Sequence, residues 1–174
     1  MRFWLKAIGV AALLAACVLL WPAPKARSAT LSDMFGAYAG VNAAWLQGPD
    51  VAFPVDVEGS GNVKFSLSPH LSATGMLAYG FSHSYLRYDA DARVTATDVN
   101  DPNFNLFLGI GYRGGSVAAF EPGEWAPNAG FGWRPSPESA PWLTIVGKSS
   151  VGLVSHNTIT YLGGRYALPI NPFK

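Results

Sequence analysis

The chain has 174 residues, of which 49% are apolar, 13% aromatic and 13% charged, and its formal net charge is +1. This length favours one domain, and a chain this apolar is not an intrinsically disordered one. The sequence carries no Lys/Arg stripe, which excludes a basic nucleic-acid binder, so we expect no nucleic-acid partner.

The first 29 residues are typical of a secretory signal peptide. Arg2 and Lys6 precede an uninterrupted apolar run over 7–21, and small residues follow at 26–29. A basic start, an apolar centre and a small-residue end are the three parts of such a signal. The run is shorter than the roughly 20 residues of a membrane-spanning helix. We therefore predict export, with cleavage of the segment 1–29.

Cys17 lies inside this segment and follows Leu14-Ala15-Ala16, which is similar to the lipobox of bacterial lipoproteins. The residues after Cys17 are apolar rather than polar, which favours a continuing signal core over a lipid anchor. Beyond residue 29 the chain holds 8 Lys/Arg, 11 Asp/Glu and no Cys, so its formal charge there is −3. Disulfides therefore cannot stabilise the exported domain.

The remaining chain alternates apolar and polar residues with a period of two, which indicates β-strands. Turn residues separate the alternating runs. We predict strands at 33–47, 55–68, 71–82, 85–98, 103–113, 142–154 and 158–168, and a broken strand within 116–133. The second strand is interrupted by Pro54, Gly59 and Gly61, and the sixth by Pro122 and Pro127.

Several of these strands have 10–14 residues, whereas ordinary strands cluster near about 5–6 residues. A membrane-crossing strand needs about 9–11 residues, and its alternation is apolar outside and polar inside. The predicted fold is therefore all-β: a closed, antiparallel, up-and-down transmembrane β-barrel of about eight strands. The barrel domain is 30–168, and 169–174 form a short tail.

In this barrel one face of each strand points into the lumen, and charged residues occupy that face. The clearest case is the run Arg87-x-Asp89-x-Asp91-x-Arg93, whose four charged residues share one side of a strand. Buried charges need partners, so we predict that ion pairs plug the lumen. The predicted lumen charge cluster is Lys64, Arg87, Asp89, Asp91, Arg93, Arg113, Lys148 and Arg165.

Aromatic residues lie near the ends of the predicted strands, as in the girdles that flank the apolar band of membrane barrels. The predicted aromatic girdle is Phe35, Trp45, Tyr79, Phe81, Phe104, Tyr112 and Tyr166. The outer loops near 47–60 and 114–127 contain three further aromatic residues, Phe53, Phe120 and Trp125. Their rings would be available to lipid or to a surface partner.

Three stretches resemble the small outer-membrane β-barrel proteins of the eight-stranded OmpA/OmpX-like group. Leu162-Gly163-Gly164-Arg165-Tyr166-Ala167-Leu168 is similar to their closing strand, and Lys64 to Tyr79 is similar to a periplasmic hairpin. Leu108-Gly109-Ile110-Gly111-Tyr112 resembles another strand centre. The resemblance implies a Gram-negative outer membrane, surrounding lipid and the outer-membrane insertion machinery as partners. The tail after Leu168 departs from it, because these proteins usually end on Phe.

No catalytic or metal site is predicted, and no cofactor is expected. His83 and Ser84 are adjacent, but a nucleophilic Ser needs a His and an orienting acid within reach, and neighbouring strand residues face opposite sides. His70 and His156 lack the ligand spacing of a metal site. The predicted function is therefore a non-catalytic barrel with a structural or surface-interaction role.

Two other functions stay open at this stage. One is a soluble periplasmic β-barrel or sandwich that binds a small apolar ligand. In that case Phe104, Leu106, Leu108 and Ile110 would face inward, whereas in a membrane barrel they face lipid. The other is a lipid-modifying outer-membrane barrel enzyme that uses His83 and Ser84.

Overall fold

The structure, a computed structural model, describes residues 34–49, 51, 55–98, 101–116 and 123–170. The segment 1–29, the tail from 171 onward, Phe53 and Phe120 therefore lie outside the described residues. Within them are eight strands: β1 Phe35–Gln47, β2 Val55–Ser66, β3 Leu71–Gly80, β4 Tyr85–Thr97, β5 Phe104–Gly115, β6 Glu124–Trp133, β7 Leu143–Val151 and β8 Thr158–Leu168.

Each strand pairs antiparallel with the next along the chain, and β1 pairs antiparallel with β8, so the sheet closes into an up-and-down barrel. The prediction of a closed eight-stranded barrel is confirmed. We call the end that holds the start of β1 and the finish of β8 the terminal end. The β2–β3, β4–β5 and β6–β7 pairs are connected at that end, and the other successive strands are connected at the opposite, far end.

Most predicted strands are confirmed with small shifts at their ends, and the two interrupted ones are the main corrections. β2 runs without a break through Gly59 and Gly61 because both are paired on each side, with β1 and with β3. The broken sixth strand is β6 and begins only at Glu124. The predicted loops 47–60 and 114–127 were too wide, because β2 begins at Val55 and β6 takes 124–127.

Pro127 lies inside β6, a position that a central strand usually excludes because proline has no N–H to donate. The sheet accommodates it at the end of a ladder. Pro127 is paired with Ile110 of β5 on one side, while the β6–β7 ladder ends at Asn128↔Ser150 on the other. Pro127 therefore removes no bond from that ladder.

The two faces of the sheet differ as the alternation predicts. Leu106, Leu108 and Ile110 point away from the barrel axis and are 55%, 43% and 49% exposed. That orientation matches the membrane-barrel prediction and is opposite to the one that a soluble apolar-binding barrel requires. No helix in the described part of the chain is long and apolar enough to span a membrane.

Candidate functional site

The middle of the barrel holds a connected set of six buried charged side chains. We call Glu58, Arg87, Asp89, Asp91, Arg93 and Lys148 the central ion network; all are at most 7% exposed. Arg87 is its first node: its guanidinium donates to Glu58 from Nε at 3.0 Å and Nη2 at 2.6 Å, and to Asp89 from Nη1 at 2.6 Å. Such two-pronged pairing is a strong form of charge-assisted hydrogen bond.

Asp91 is the second node. It accepts hydrogen bonds from Arg93 at 2.6 Å, from Lys148 Nζ at 2.8 Å and from Asn128 at 2.9 Å. Lys148 also lies 3.6 Å from Asp89, which joins the two nodes. Gly111 faces Asp91 across the β4–β5 ladder, and a Cβ there would collide with the Asp91 carboxylate, so glycine makes room for the network.

The network is balanced in charge, because three cationic side chains meet three carboxylates. Neutral groups complete it: the Tyr85 hydroxyl donates to Glu58 at 2.7 Å, and the Arg87 guanidinium lies 5.4 Å from the centre of the Tyr161 ring. A barrel of eight strands has an interior just wide enough for side chains to fill. Charged side chains that are paired in this way can occupy it without an uncompensated buried charge.

A separate ion pair lies nearer the far end, between Arg113 of β5 and Glu124 of β6, at 2.9 Å. Arg113 also donates to the backbone oxygens of Ser150 and Asn157. Glu124 accepts from the Ser155 hydroxyl and from two backbone N–H groups of the β7–β8 turn. This pair therefore ties the short turn at 152–157 to the barrel wall.

The far end also holds His83, the residue considered for catalysis. Its Nδ1 lies 3.0 Å from an oxygen of Asp56, a partner that sequence reasoning missed because it lies 27 positions away on β2. The Asp56 carboxylate also accepts from the backbone N–H groups of Val57, Ser82 and His83. The contacts place Asp56 as the acceptor that orders the β3–β4 turn, in which Ser84 has a positive φ of 52°.

The structure thus brings six of the eight predicted lumen residues into buried ion pairs, and leaves two outside them. Arg87, Asp89, Asp91, Arg93 and Lys148 belong to the central ion network, and Arg113 pairs with Glu124. Lys64 and Arg165 face inward near the terminal end, half-buried. Among the described residues, neither of them forms an ion pair.

Three carboxylates of the interior were missing from the predicted cluster: Asp56, Glu58 and Glu124. The first two did carry a signal, because Asp56 and Glu58 alternate with Val55 and Val57 and therefore share the inner face of β2. Glu124 carried a weaker sequence signal, because it is the first residue of β6 and the start of that strand could not be located from the sequence.

The residues of the predicted aromatic girdle fall into two belts, one near each end of the barrel. The far-end belt holds four predicted girdle residues, Trp45, Tyr79, Phe81 and Tyr112, and two others, Tyr88 and Trp125. Trp125 was predicted in a loop but lies on β6, with its ring at 5.8 Å from that of Tyr112. Phe81 lies in the β3–β4 turn rather than in a strand, packed edge-on against Tyr79 at 5.7 Å.

The terminal-end belt holds the other three predicted girdle residues, Phe35, Phe104 and Tyr166. Phe104 stacks with Phe131 at 6.0 Å, and Tyr166 stacks with Trp142 at 4.8 Å. Pairs with this geometry contribute about 0.5–1.5 kcal/mol beyond the area they bury.

Within the described ranges, no three His, Cys, Asp or Glu side chains lie close enough together to hold a metal ion. His70 lies at the terminal end with its Nδ1 3.2 Å from the backbone oxygen of Thr95. His156 lies in the β7–β8 turn with a positive φ of 58°.

Comparison with known proteins identifies the same fold elsewhere. A de novo designed transmembrane β-barrel superposes with a TM-score of 0.54 at 13% identity, covering 76% of this chain and 95% of that one. A second designed protein, solved by NMR, superposes with a TM-score of 0.51 at 17% sequence identity, and the match covers 78% of this chain and 95% of that one. Neisserial surface protein A superposes with a TM-score of 0.51 at 10% sequence identity, and the match covers 78% of this chain and 97% of that one. No family model and no curated protein matches the chain in sequence.

Proposed function

We propose that this chain is a non-catalytic outer-membrane β-barrel, exported by its first 29 residues, with a structural or surface-interaction role. The observation that carries the proposal is that apolar side chains lie outside and charged ones inside, which is the reverse of their distribution in a water-soluble protein. Leucine, valine and isoleucine cover the outside of the strands, while charged side chains fill the inside. In water this arrangement leaves a large apolar surface exposed, whereas in a bilayer the apolar band faces lipid.

The aromatic belts and the strand lengths support the same location. The strands have 9–13 residues, which fits the roughly 9–11 residues that a tilted strand needs to cross the apolar layer. Trp and Tyr rings prefer the two membrane–water interfaces, and the belts lie near opposite ends of the barrel. Closure of β1 on β8 leaves no sheet edge exposed to lipid.

The lumen of this proposed protein is closed by its own side chains. The central ion network and the pair Arg113–Glu124 fill the inner face with charges that are already neutralised. An aqueous channel needs a wider barrel than eight strands provide. We therefore propose a plugged barrel rather than a porin-like one.

The surface for a partner would lie at the far end. The hairpin turn at 67–70, in the segment that resembles a periplasmic hairpin, lies at the terminal end, so the far end would face outward. Its connections at 48–54 and 116–123 fall within the predicted loop ranges 47–60 and 114–127. Trp125 beside the second of them is 57% exposed, which favours contact with lipid or with a protein surface.

The test is fractionation of cells that make the full chain, followed by gel electrophoresis of unheated and heated samples. We expect the protein in the outer-membrane fraction, extracted only by detergent, with a different mobility before and after heating. Recovery of a folded protein in the soluble periplasmic fraction would contradict the proposal and favour the soluble binding barrel.

A further inference from the structure

The terminal end of the barrel interior contains a cavity of about 320 Å³ that the plug does not fill. Four cationic side chains line it: Lys64 of β2, Arg93 of β4, Arg134 just after β6, and Arg165 of β8. We call this cavity the terminal vestibule. Arg134 is exposed and Lys64 and Arg165 are half-buried, so the vestibule is in contact with solvent.

Three of the four cations of the terminal vestibule have no counter-charge among the described residues. No carboxylate lines it among the described residues, and none of the ion pairs between described residues includes Lys64, Arg134 or Arg165. Arg93 alone has a carboxylate partner, Asp91, which it shares with Lys148. The cations therefore create a positive potential that low-dielectric walls concentrate inside the cavity.

Two of the four cationic side chains also have unused hydrogen-bond donors. The Nε atoms of Arg93 and Arg165 are buried and have no hydrogen-bond partner in the part of the chain that the structure describes. A buried donor without a partner is rare and needs an explanation, such as an ion bound at the site. Both residues line the same cavity, so neither guanidinium has all of its donors occupied by the described residues.

Neutral donors surround the four cations. Thr95, Thr144, Asn62 and Asn105, whose side chains carry hydroxyl or amide donors, also line the vestibule and come from four different strands; the Asn62 amide also donates to Ser60 at 3.1 Å. A ligand that accepts from all sides therefore fits better than one with a single acceptor edge. Phosphate groups combine one or two negative charges with several acceptor oxygens, and arginine matches their geometry.

We infer that the terminal vestibule binds a phosphate group, held by the four cationic side chains Lys64, Arg93, Arg134 and Arg165. This goes beyond the proposed function, because it assigns a ligand to the inner face at the terminal end rather than a partner to the far-end loops. The phosphate group could belong to a small solute or to a phospholipid headgroup, which offer the same chemistry.

The test uses the full chain, purified in an uncharged detergent and titrated with sodium pyrophosphate by calorimetry. We expect saturable binding that weakens as NaCl is raised, because salt screens the attraction. In the double variant Lys64→Gln/Arg165→Gln we expect the affinity to fall at least tenfold. The exchange variant Lys64→Arg/Arg165→Lys keeps both charges and should bind within a few-fold of the original chain.

Three results would overturn the inference: no saturable binding by the original chain, equal binding by the neutral double variant, or equal loss in the neutral and exchange variants. The unheated gel mobility of each variant shows whether it has folded. A variant that does not fold is replaced by Arg134→Gln, which alters an exposed side chain, and its affinity must then be reduced.

The source of the phosphate is distinguished in lipid. The same titration is repeated in nanodiscs of phosphatidylcholine alone and in nanodiscs that also contain phosphatidylglycerol. Weaker pyrophosphate binding by the original chain in the second nanodisc identifies a lipid headgroup as the competing ligand. Equal binding in both nanodiscs identifies a solute.

Discussion

The central ion network and the terminal vestibule lie on the same inner face of the same barrel, yet their charges are arranged differently. In the network three cations meet three carboxylates at 2.6–3.6 Å, and all six are nearly inaccessible to solvent. In the vestibule three further cations have no carboxylate partner among the described residues, and they are exposed or half-buried.

This difference follows from the cost of burying charge. An ion in the middle of the barrel loses its hydration and is tolerated only when a counter-charge replaces the water. Near the terminal end solvent still reaches the side chains, so cations there can remain hydrated, and Lys64, Arg134 and Arg165 have no ion-pair partner among the described residues. Arg93 belongs to both regions, since it donates to Asp91 and also lines the vestibule. The proposed plug therefore consists of paired charges, and the proposed phosphate site consists mainly of cations that have no carboxylate partner among the described residues.

The largest expected effect comes from breaking the network. Lys148→Met removes the cation that lies 2.8 Å from Asp91 and 3.6 Å from Asp89, and leaves one negative charge uncompensated. We expect the free energy of unfolding to fall by about 3 kcal/mol, because removal of one partner from a buried pair is strongly destabilising. Urea unfolding of the barrel in lipid vesicles measures this change.

The double variant Lys148→Met/Asp91→Asn is the control, because it restores the balance of charge in the network. It should lose less stability than Lys148→Met alone. If the two substitutions instead destabilise the barrel additively, the six side chains do not act as one compensated set.

Whether the sequence predicts a feature of the barrel interior depends on how far apart along the chain the interacting residues are. The inner and outer faces follow from alternation within each strand, so the pattern alone puts Arg87, Asp89 and Asp91 together on one face. Their partners cannot be assigned in the same way. Glu58 meets Arg87 from 29 positions away and Lys148 meets Asp91 from 57 positions away, and only the register of the closed sheet brings them together.

The vestibule was hidden for a related reason. Lys64 and Arg165 have the same alternation as Arg87 and Lys148, so sequence reasoning assigned all of them to one plug. What separates them is their position along the barrel axis, which depends on the offset between successive strands around the barrel. Trp142, which stacks with Tyr166 in the terminal-end belt, was missed because it lies at a strand end, where boundaries are least well defined by the pattern.

A smaller effect is expected from adding a carboxylate to the vestibule. Thr144 lies directly opposite Arg165 in the β7–β8 ladder, so Thr144→Glu would supply that cation with a cross-strand partner. We expect the free energy of unfolding to rise by about 0.2–1 kcal/mol relative to Thr144→Gln, which has similar size but no charge. Urea unfolding at low and high NaCl measures the difference, which should shrink with salt. A Glu variant less stable than the Gln variant would mean that Arg165 is already compensated.

The smallest effect is expected when the Lys→Met substitution made in the central ion network is repeated in the terminal vestibule. Because the side chain removed is the same, the two variants compare the two regions directly. Lys64→Met removes the same side chain as Lys148→Met, but from the vestibule, where no described carboxylate pairs with it. We expect the free energy of unfolding to change by less than about 0.5 kcal/mol, as for substitutions that break no buried interaction. Parallel urea unfolding of the two Met variants measures the contrast. A loss at Lys64 as large as the loss at Lys148 would show that Lys64 has a buried counter-charge, and the vestibule would then be part of the plug.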